Sequence, residues 1–447
     1  MTNDYLITEK PFRALAWFSF PMIVGNIFQQ FYTMVDSVIV GRFINERALA
    51  AVGASYALTN IFICIAIGGG VGASVVVSKH FGAKDYTKMK SAVSTALIAF
   101  LLMSIGLSLF GLLLNRKIMI LLNTPSDTLS MAMIYLKIYF WGLPFLFMYN
   151  VISAIFNALG KSSIPLFFLI FSSVLNIILD LFMVTVLHLG VAGVSLATLI
   201  SQGVATLISF FVLVRILKRF PSETVQLFSE REFSRMFKIA LPSILQQSVV
   251  SIGMMLVQSV VNAFGSSVLA GFSAAMRIES ICVVPMIAIG NAVSSFTAQN
   301  LGANKEERVV KGYKASNLMV FFFGLVICFI LELFNTSIIG VFLGSHGTAE
   351  ALKVGENYLS FMGWFYCIIG IKMAVDGLLR GAGDMKMFTI ANLANLFVRV
   401  TVSVLLAPVF GISMVWVSVP FAWFLNFLIS FYQYKTGHWK VLNQLTH

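Results

Sequence analysis

Two carboxylates stand inside apolar stretches of the sequence, Asp36 in the first stretch and Asp180 in the fifth. Placing such a charge at the centre of a bilayer costs roughly 2.5–3.5 kcal/mol. Asn176 precedes Asp180 by four residues, a spacing that puts both side chains on one face of a helix. Two carboxylates and an amide in an apolar surrounding can hold a proton or a Na⁺ ion, because burial brings the charged and neutral forms close in free energy.

These carboxylates also have a structural interpretation, in which hydroxyl groups or a lysine satisfy them without any exchange of ions. Intramembrane carboxylates are rare because they are costly, and those that occur commonly mark ion pathways. Their rarity favours the functional interpretation of Asp36 and Asp180.

Pro21 lies in the same predicted helix as Asp36, fifteen residues earlier. A proline inside a helix removes one backbone hydrogen bond and permits a bend. The bend is either a hinge or a passive kink of the kind that membrane helices tolerate. Because Pro242 occurs in the seventh predicted helix, the two prolines indicate a shared structural need, and both interpretations stay open.

The second half of the chain also carries ionisable side chains in its apolar segments. They are Arg277, Glu279, Lys372, Asp376 and Arg399. Internal charge pairing is the favoured interpretation, since a lone charge in lipid is expensive. The functional alternative is that Glu279 faces a central cavity and attracts a cationic substrate. Tyr139 and Met255 are candidates to line that cavity through cation–π and adaptable apolar contacts.

Composition decides what kind of fold positions these residues. Of 447 residues, 59% are hydrophobic and 11% are charged, which is about half the charged share of a soluble domain. The apolar blocks are long enough to cross a bilayer core of ~30 Å. The sequence therefore predicts an all-α membrane protein with twelve transmembrane helices. They run near 14–40, 48–78, 91–114, 128–156, 162–187, 190–217, 237–263, 269–298, 312–334, 350–378, 386–408 and 411–433.

The net charge of +12 does not indicate a nucleic-acid partner, because Lys and Arg lie mainly in alternate loops and at both termini. The loops after the second, sixth and eighth predicted helices are rich in basic residues, whereas the loop after the seventh has no charge. The positive-inside rule then places both termini in the cytoplasm, which requires an even number of spans. The partner predicted from these features is the lipid bilayer.

An internal repeat relates the two halves of the chain. Phe81-Gly82-Ala83-Lys84 returns as Leu301-Gly302-Ala303-Asn304, shifted by 220 residues, and Leu159-Gly160-Lys161 matches Ala382-Gly383-Asp384, shifted by 223. Six helices in each half predict two parallel six-helix lobes related by pseudo-two-fold symmetry, with a cavity between them that suits alternating access. The predicted division is an N-terminal lobe at 1–218, a cytoplasmic linker at 219–236 and a C-terminal lobe at 237–447.

Motifs for enzymatic chemistry are missing from the sequence. The cysteines Cys64, Cys282, Cys328 and Cys367 lie in apolar blocks without CxxC spacing, and neither HExxH nor GxSxG occurs. Gly160-Lys161-Ser162-Ser163 imitates the end of a phosphate-binding loop, but Ile155 stands where that loop needs glycine. We therefore expect a protein that is not an enzyme and has no cofactor.

Several stretches together resemble the multidrug and toxic compound extrusion (MATE) family of cation-coupled antiporters. They are Phe20-Pro21-Met22-Ile23, Val35-Asp36-Ser37-Val38-Ile39-Val40-Gly41, Leu49-Ala50-Ala51-Val52-Gly53, Phe81-Gly82-Ala83-Lys84-Asp85, Asn157-Ala158-Leu159-Gly160, Asn176-Ile177-Ile178-Leu179-Asp180 and Gln299-Asn300-Leu301-Gly302-Ala303. The similarity covers essentially the whole chain. It implies export of small lipophilic, often cationic compounds in exchange for H⁺ or Na⁺, across the bacterial cytoplasmic (inner) membrane, by a monomer.

Among the branches of this family, the sequence resembles the DinF-like branch, whose cation site lies in the N-terminal lobe. The resemblance carries over Asp36, Asn176, Asp180 and Thr198 as cation-coupling residues, with Tyr32 as a neighbour and Pro21 as the bend of the first helix. The same four side chains are the expected ligands if the ion is Na⁺, since hard cations prefer oxygen. The NorM-like branch uses acidic residues of its seventh and tenth helices, but the seventh helix here (239–263) has no Asp or Glu.

One alternative function stays open within the same wider superfamily. A lipid-linked saccharide flippase would share the repeat architecture and usually displays several cationic residues for phosphates. Arg277, Lys372 and Arg399 keep this alternative possible.

Overall fold

The computed structural model describes residues 4–44, 46–121, 124, 126–343 and 348–444. Every regular element within these ranges is a helix. The helices are α1 (Tyr5–Thr8), α2 (Pro11–Phe43), α3 (Glu46–Gly82), α4 (Tyr86–Leu121), α5 (Ser126–Ala158), α6 (Ser163–Leu181), α7 (Gly190–Leu217), α8 (Glu230–Asn262), α9 (Ser266–Cys282), α10 (Val284–Gly302), α11 (Glu306–Leu343), α12 (Ala349–Gly363), α13 (Tyr366–Ala382), α14 (Met385–Phe410), α15 (Ser413–Thr436) and α16 (His438–Gln444). A π-helical segment, Phe182–Val186, continues α6.

Each of the twelve predicted segments coincides with one long helix or with a pair of consecutive helices. Within the described residues, ten helical segments are long and apolar enough to cross a membrane, and the bent pair α12–α13 makes eleven. The remaining segment, α2, is 33 residues long and carries Gln29, Gln30 and Asp36, which lower its apolar character. Polar side chains therefore interrupt the apolar character of the helix that supplies the predicted site residue Asp36.

Two predicted helices are interrupted. α9 and α10 meet at Val283, and Pro285 occupies the first turn of α10, where its missing N–H costs no hydrogen bond. α12 and α13 meet at Trp364 and Phe365 with a bend of 54°. The single helices predicted over 269–298 and 350–378 are thus corrected to broken pairs.

The chain forms two compact units, one comprising Met1–Ile23 with Leu245–His447 and the other comprising Val24–Ile244. The unit boundaries fall inside α2 and inside α8, two residues after Pro21 and two residues after Pro242. Since proline interrupts the hydrogen-bond ladder of a helix, both helices pass from one unit to the other just beyond a weakened turn. The lobes predicted at 1–218 and 237–447 describe the sequence repeat, and that division stays a prediction.

Backbone conformation marks corresponding points of the two repeats. Three pairs of residues with positive φ are related by the repeat: Lys84 (58°) with Asn304 (56°), Gly160 (74°) with Gly383 (79°), and His188 (53°) with Gly411 (92°). The first pair is shifted by 220 residues and the other two by 223. Left-handed residues are uncommon outside glycine, so their recurrence at these shifts supports the repeat independently of sequence identity.

Small residues let helices approach closely in the unit Val24–Ile244. A Cβ atom added at Gly68 of α3 would lie 2.6 Å from the backbone nitrogen of Ile244 in α8. One turn later, a Cβ atom at Gly72 would lie 2.5 Å from the carbonyl oxygen of Met236. Such spacing of glycines allows backbone contact between membrane helices, and it holds the first half of α8 against α3.

The start of the chain packs within the unit that it shares with Leu245–His447. Tyr5 and Leu6 are buried in its core. Asn300 donates to the carbonyl oxygen of Leu6 at 3.1 Å, and Arg308 donates to that of Glu9 at 2.6 Å. These hydrogen bonds, donated by an amide and a guanidinium group, hold α1 beside the last turn of α10 and the first turn of α11.

Candidate functional site

Five of the predicted site residues meet in the unit Val24–Ile244, where α2, α6 and α7 bring them together. The hydroxyl group of Tyr32 lies 2.6 Å from the side-chain amide of Asn176. The neighbours fix the orientation of this amide: its nitrogen donates to Asp180 Oδ2 at 3.0 Å, and its oxygen accepts the backbone N–H of Thr198 at 3.1 Å. Asn176 therefore joins α2, α6 and α7 through one side chain.

The carboxyl groups of Asp36 and Asp180 lie within hydrogen-bonding reach of each other. Asp180 is fully buried, and Asp36 is half-buried. Each carboxyl group also has one buried oxygen, Oδ1, that lacks a hydrogen-bond partner among the described residues. Because ionised carboxylates only accept hydrogen bonds, the two groups can bridge only through a proton or a bound cation. The free oxygens are ligands of the kind that a hard cation selects. The hydroxyl of Thr198 lies 3.4 Å from the side-chain amide of Asn176.

A partly open pocket, called the cavity below, lies beside this group. It is lined by Tyr135, Tyr139, Gly142, Leu146, Ser195, Thr198, Leu199 and Gln202. The rings of Tyr135 and Tyr139 stack at 6.5 Å, and the hydroxyl of Tyr139 donates to the carbonyl oxygen of Thr59 at 3.3 Å. Thr198 lines the cavity and also contacts Asn176 in the Asp36–Asp180 site, so the cavity and the site share this residue.

Sequence reasoning missed Tyr135, Ser195 and Gln202 as lining residues of the cavity. A signal was present, because Ser195, Thr198 and Gln202 recur at helical spacing on one face of an otherwise apolar α7. Tyr135 likewise lies one turn before Tyr139 in α5. Polar stripes of this kind also serve ordinary helix packing, and only the tertiary structure shows that these residues border a space.

The other predicted residues lie in the unit formed by Met1–Ile23 and Leu245–His447. Pro21 is inside α2. Met255 in α8 is largely exposed, whereas Glu279 in α9 is buried and accepts a hydrogen bond from the hydroxyl of Tyr358. A role of Met255 and Glu279 in a substrate cavity stays a prediction.

Internal charge pairing occurs in the same unit. Lys372 Nζ lies 3.0 Å from Asp376 Oδ2, and both side chains are buried. Ser430 donates to Asp376 at 2.7 Å, and Asn392 lies 3.3 Å from Lys372 Nζ. This pair is thus compensated within α13, as the structural interpretation of these residues expects.

A transition-metal centre finds no support in the described part of the chain, where no three His, Cys, Asp or Glu side chains come together as metal ligands do. The Asp36–Asp180 group has two carboxylates with neutral oxygen donors. Such a set fits an exchangeable proton or Na⁺ better than a soft metal.

Comparison with known proteins gives consistent matches. The model of the MatE family matches residues 21–182 and again residues 242–405, once in each half of the chain. The chain is 31% identical over 435 residues to the probable multidrug resistance protein YpnP of Bacillus subtilis (strain 168), covering 97% of each. It is 24% identical over 422 residues to the multidrug export protein MepA of Staphylococcus haemolyticus (strain JCSC1435), covering 92% of this chain and 90% of MepA.

Solved structures share the fold. A structure described as the outward-facing conformation of a multidrug resistance MATE family transporter of the MOP superfamily superposes with a TM-score of 0.91. The two chains are 23% identical, and the alignment covers 99% of each. This likeness and the observed helices confirm the predicted fold class, a twelve-helix all-α membrane protein of two lobes.

Proposed function

This chain belongs to the MatE family of multidrug and toxic compound extrusion transporters, and from that premise we propose that it exports lipophilic, often cationic compounds in exchange for H⁺ or Na⁺ by alternating access. The observation that carries the coupling is the meeting of Asp36 and Asp180 beside Asn176 and Thr198. We further propose that it works as a monomer in the bacterial cytoplasmic membrane, with both termini in the cytoplasm.

Electrostatics explains why this pair would exchange a cation. Two carboxylates in contact cannot both stay ionised in a low-dielectric surrounding unless a proton or a metal cation joins them. Inward movement of one positive charge is worth about 2.3 kcal/mol per 100 mV of membrane potential. Binding of the cation at Asp36 and Asp180 would also compete with the hydrogen bond that Asn176 donates to Asp180. Asn176 in turn accepts the backbone N–H of Thr198, which forms part of the cavity wall. Loading the site would thereby alter the cavity that holds the exported compound.

The cavity has the chemistry of a site for cationic aromatic compounds. Tyr135 and Tyr139 offer aromatic faces, which attract cations, and Gln202 offers an amide for hydrogen bonding. Apolar positions such as Leu199 complete a wall suited to amphipathic compounds. A cation on the exported compound and the coupling cation would then compete for the same negative charge.

Replacing Tyr139 by leucine tests the cavity. We expect the concentration of a cationic dye that gives half-maximal export to rise severalfold, because a cation–π contact is worth about 0.5–2 kcal/mol. The dependence of export on the imposed cation gradient stays unchanged. Tyr432→Leu is the matched control, since Tyr432 is 68% exposed. Equal concentration dependence in wild type and Tyr139→Leu would remove this residue from the substrate site.

Replacing Pro21 by alanine tests the bend of α2. Alanine restores the N–H that can bond to the carbonyl of Trp17, so the helix becomes stiffer near the unit boundary. We expect severalfold slower export with unchanged dye binding, measured by efflux and by equilibrium binding. Pro408→Ala is the control, because Pro408 is exposed in the last turn of α14. If Pro21→Ala exports at the wild-type rate, the bend is a passive kink.

Efflux from proteoliposomes tests the proposed function itself. A pH gradient and a Na⁺ gradient are imposed separately, with the membrane potential clamped, while the export of a cationic dye is followed. One of the two gradients should drive export. Failure of both gradients, together with binding of a lipid pyrophosphate and no response to the dye, would instead support the flippase.

A further inference from the structure

The segment that leads into α2 is held by polar side chains of α10 and α11. Asn300 is fully buried and donates to the carbonyl oxygen of Leu6 at 3.1 Å. Arg308 donates to the same carbonyl at 3.2 Å and to that of Glu9 at 2.6 Å. Arg308 also donates to Oδ1 of Asn300 at 2.9 Å, so the two holding side chains support each other. Asn300 and Arg308, with the carbonyl groups of Leu6 and Glu9, are called the N-terminal anchor below.

The segment that leads into α8 is held in the other unit by α3 and α4. His80 Nε2 lies 2.9 Å from Glu232 Oε2, and Arg235 Nη1 lies 3.0 Å from the other oxygen of this carboxylate. Glu232 belongs to the first turn of α8 and is 4% exposed. Lys90 donates to the carbonyl oxygen of Phe220 at 2.8 Å. These five residues are called the linker anchor.

The internal repeat relates the two anchors. By the shift of 220 residues, His80 near the end of α3 corresponds to Asn300 near the end of α10. By the shift of 221 that relates the two helix prolines, Glu232 corresponds to Pro11, the first residue of α2. One anchor uses an ionic contact, whereas the other uses an amide and a guanidinium group on backbone carbonyls. The same place is thus held by different chemistry, which indicates that a fixed start of each helix is required in both repeats.

A fixed start changes how α2 responds to a displacement further along. α2 begins at Pro11, Pro21 interrupts its hydrogen-bond ladder, and Asp36 follows near its end. A helix that is held at one end and displaced at the other deforms at its weakest turn, which is the turn that lacks a backbone hydrogen bond. A helix with a free start would instead shift as one piece. The anchor therefore decides whether Pro21 is a hinge or a passive kink.

We propose that the N-terminal anchor keeps the start of α2 fixed throughout the transport cycle, so that cation loading at Asp36 is taken up as a bend at Pro21. This inference rests on the proposed function. Asn300 and Arg308 are then positioning residues for transport, although neither touches the cation or the exported compound. The linker anchor does the same for α8 and its bend at Pro242.

Distances between pairs of spin labels test whether the anchor stays closed. Labels at Thr8→Cys and Lys311→Cys span the N-terminal anchor, and labels at Thr8→Cys and Gln29→Cys span the bend; all three positions are exposed. Pulsed electron paramagnetic resonance is recorded in detergent at alkaline pH without Na⁺, after acidification, after addition of Na⁺ and after addition of the dye. Wild-type protein treated with the label reports any reaction of the native cysteines.

The two label pairs should behave differently. We expect the Thr8–Lys311 distance to stay constant under all conditions, because the anchor holds. The Thr8–Gln29 distance should change with one of the two cations, because α2 bends between these labels. A Thr8–Lys311 distance that changes, or a Thr8–Gln29 distance that does not, overturns the proposal.

Export by a double variant tests whether the anchor acts through Pro21. We expect Arg308→Ala to lower the maximal export rate severalfold at an unchanged half-maximal dye concentration, because α2 then shifts without bending. Adding Pro21→Ala to Arg308→Ala should cause no further loss, since a helix with a free start does not use the bend. Lys311→Ala, at an exposed position of the same helix, is the control and should export like wild type.

Two results of this comparison would overturn the proposal. One is a wild-type export rate in Arg308→Ala, and the other is a loss in the double variant that equals the product of the two single losses. If Arg308→Ala does not fold, the spin-label distances still decide, because Asn300 and Arg308 are intact in the labelled proteins.

The spin-label distances also separate this proposal from the proposed function, because they are measured without transport. A protein that bends at Pro21 over a closed anchor but exports nothing under either gradient refutes the proposed function alone. Gradient-driven export together with a changing Thr8–Lys311 distance refutes the fixed anchor alone.

Discussion

Asp36→Asn is expected to reduce gradient-driven export to the level of protein-free liposomes. Asparagine has nearly the same size as aspartate, but it carries no negative charge and cannot exchange a proton. The remaining carboxylate, Asp180, then lacks the neighbouring carboxylate with which we propose that it binds the coupling cation. The substrate should still bind, because the cavity walls in α5 and α7 are intact.

Asp85→Asn is the matched control for this variant. Asp85 precedes α4, accepts the backbone N–H of Lys88 at 3.0 Å and pairs with the exposed Lys88 ammonium group at 2.9 Å. Asparagine also caps helices well, and exposed ion pairs contribute little. Full gradient-driven export by Asp36→Asn, with Asp85→Asn behaving the same way, would refute Asp36 as a coupling residue.

Asp376→Asn should cause the largest loss of stability. It leaves the buried ammonium group of Lys372 without its carboxylate, whose oxygen lies 3.0 Å away. Removing one partner of a buried ion pair costs about 3–5 kcal/mol, because a buried charge is left uncompensated. We expect a clearly lower unfolding temperature in detergent and reduced yield after extraction.

The double variant Lys372→Met/Asp376→Asn separates loss of the pair from loss of packing. When both charges are removed, the desolvation cost disappears along with the attraction. We therefore expect this variant to recover most of the stability lost in Asp376→Asn. If both variants unfold at the wild-type temperature, Lys372 and Asp376 do not stabilise each other as their 3.0 Å separation indicates.

The carboxylate site could be predicted largely from the sequence. Asp36 and Asp180 are conspicuous because charge is expensive in lipid, and the helical period alone puts Asn176 on the same face as Asp180. The assignment of Thr198 and Tyr32 needed the family resemblance, since a threonine and a tyrosine in apolar helices have many ordinary roles. The structure brings these residues together, while their coupling role stays a proposal.

Other features depend on long-range packing that no local pattern encodes. The hydrogen bond of Tyr358 to Glu279 joins residues from α12 and α9, and the sequence does not predict this contact. The passage of α2 and α8 between units just after Pro21 and Pro242 is another example. A proline in the sequence predicts a weakened helical turn. The residues that pack against each end of the helix depend on the rest of the fold.

The most direct test of the central claim is to measure whether binding of a substrate releases a cation from the protein. A cationic dye is added to purified protein in detergent, and the release of H⁺ is followed with a pH indicator in weak buffer, with radioactive Na⁺ release measured in parallel. Wild-type protein should release one of these ions as the dye binds, whereas Asp36→Asn and Asp180→Asn should bind the dye without releasing either ion. Undiminished release from both variants would contradict the account.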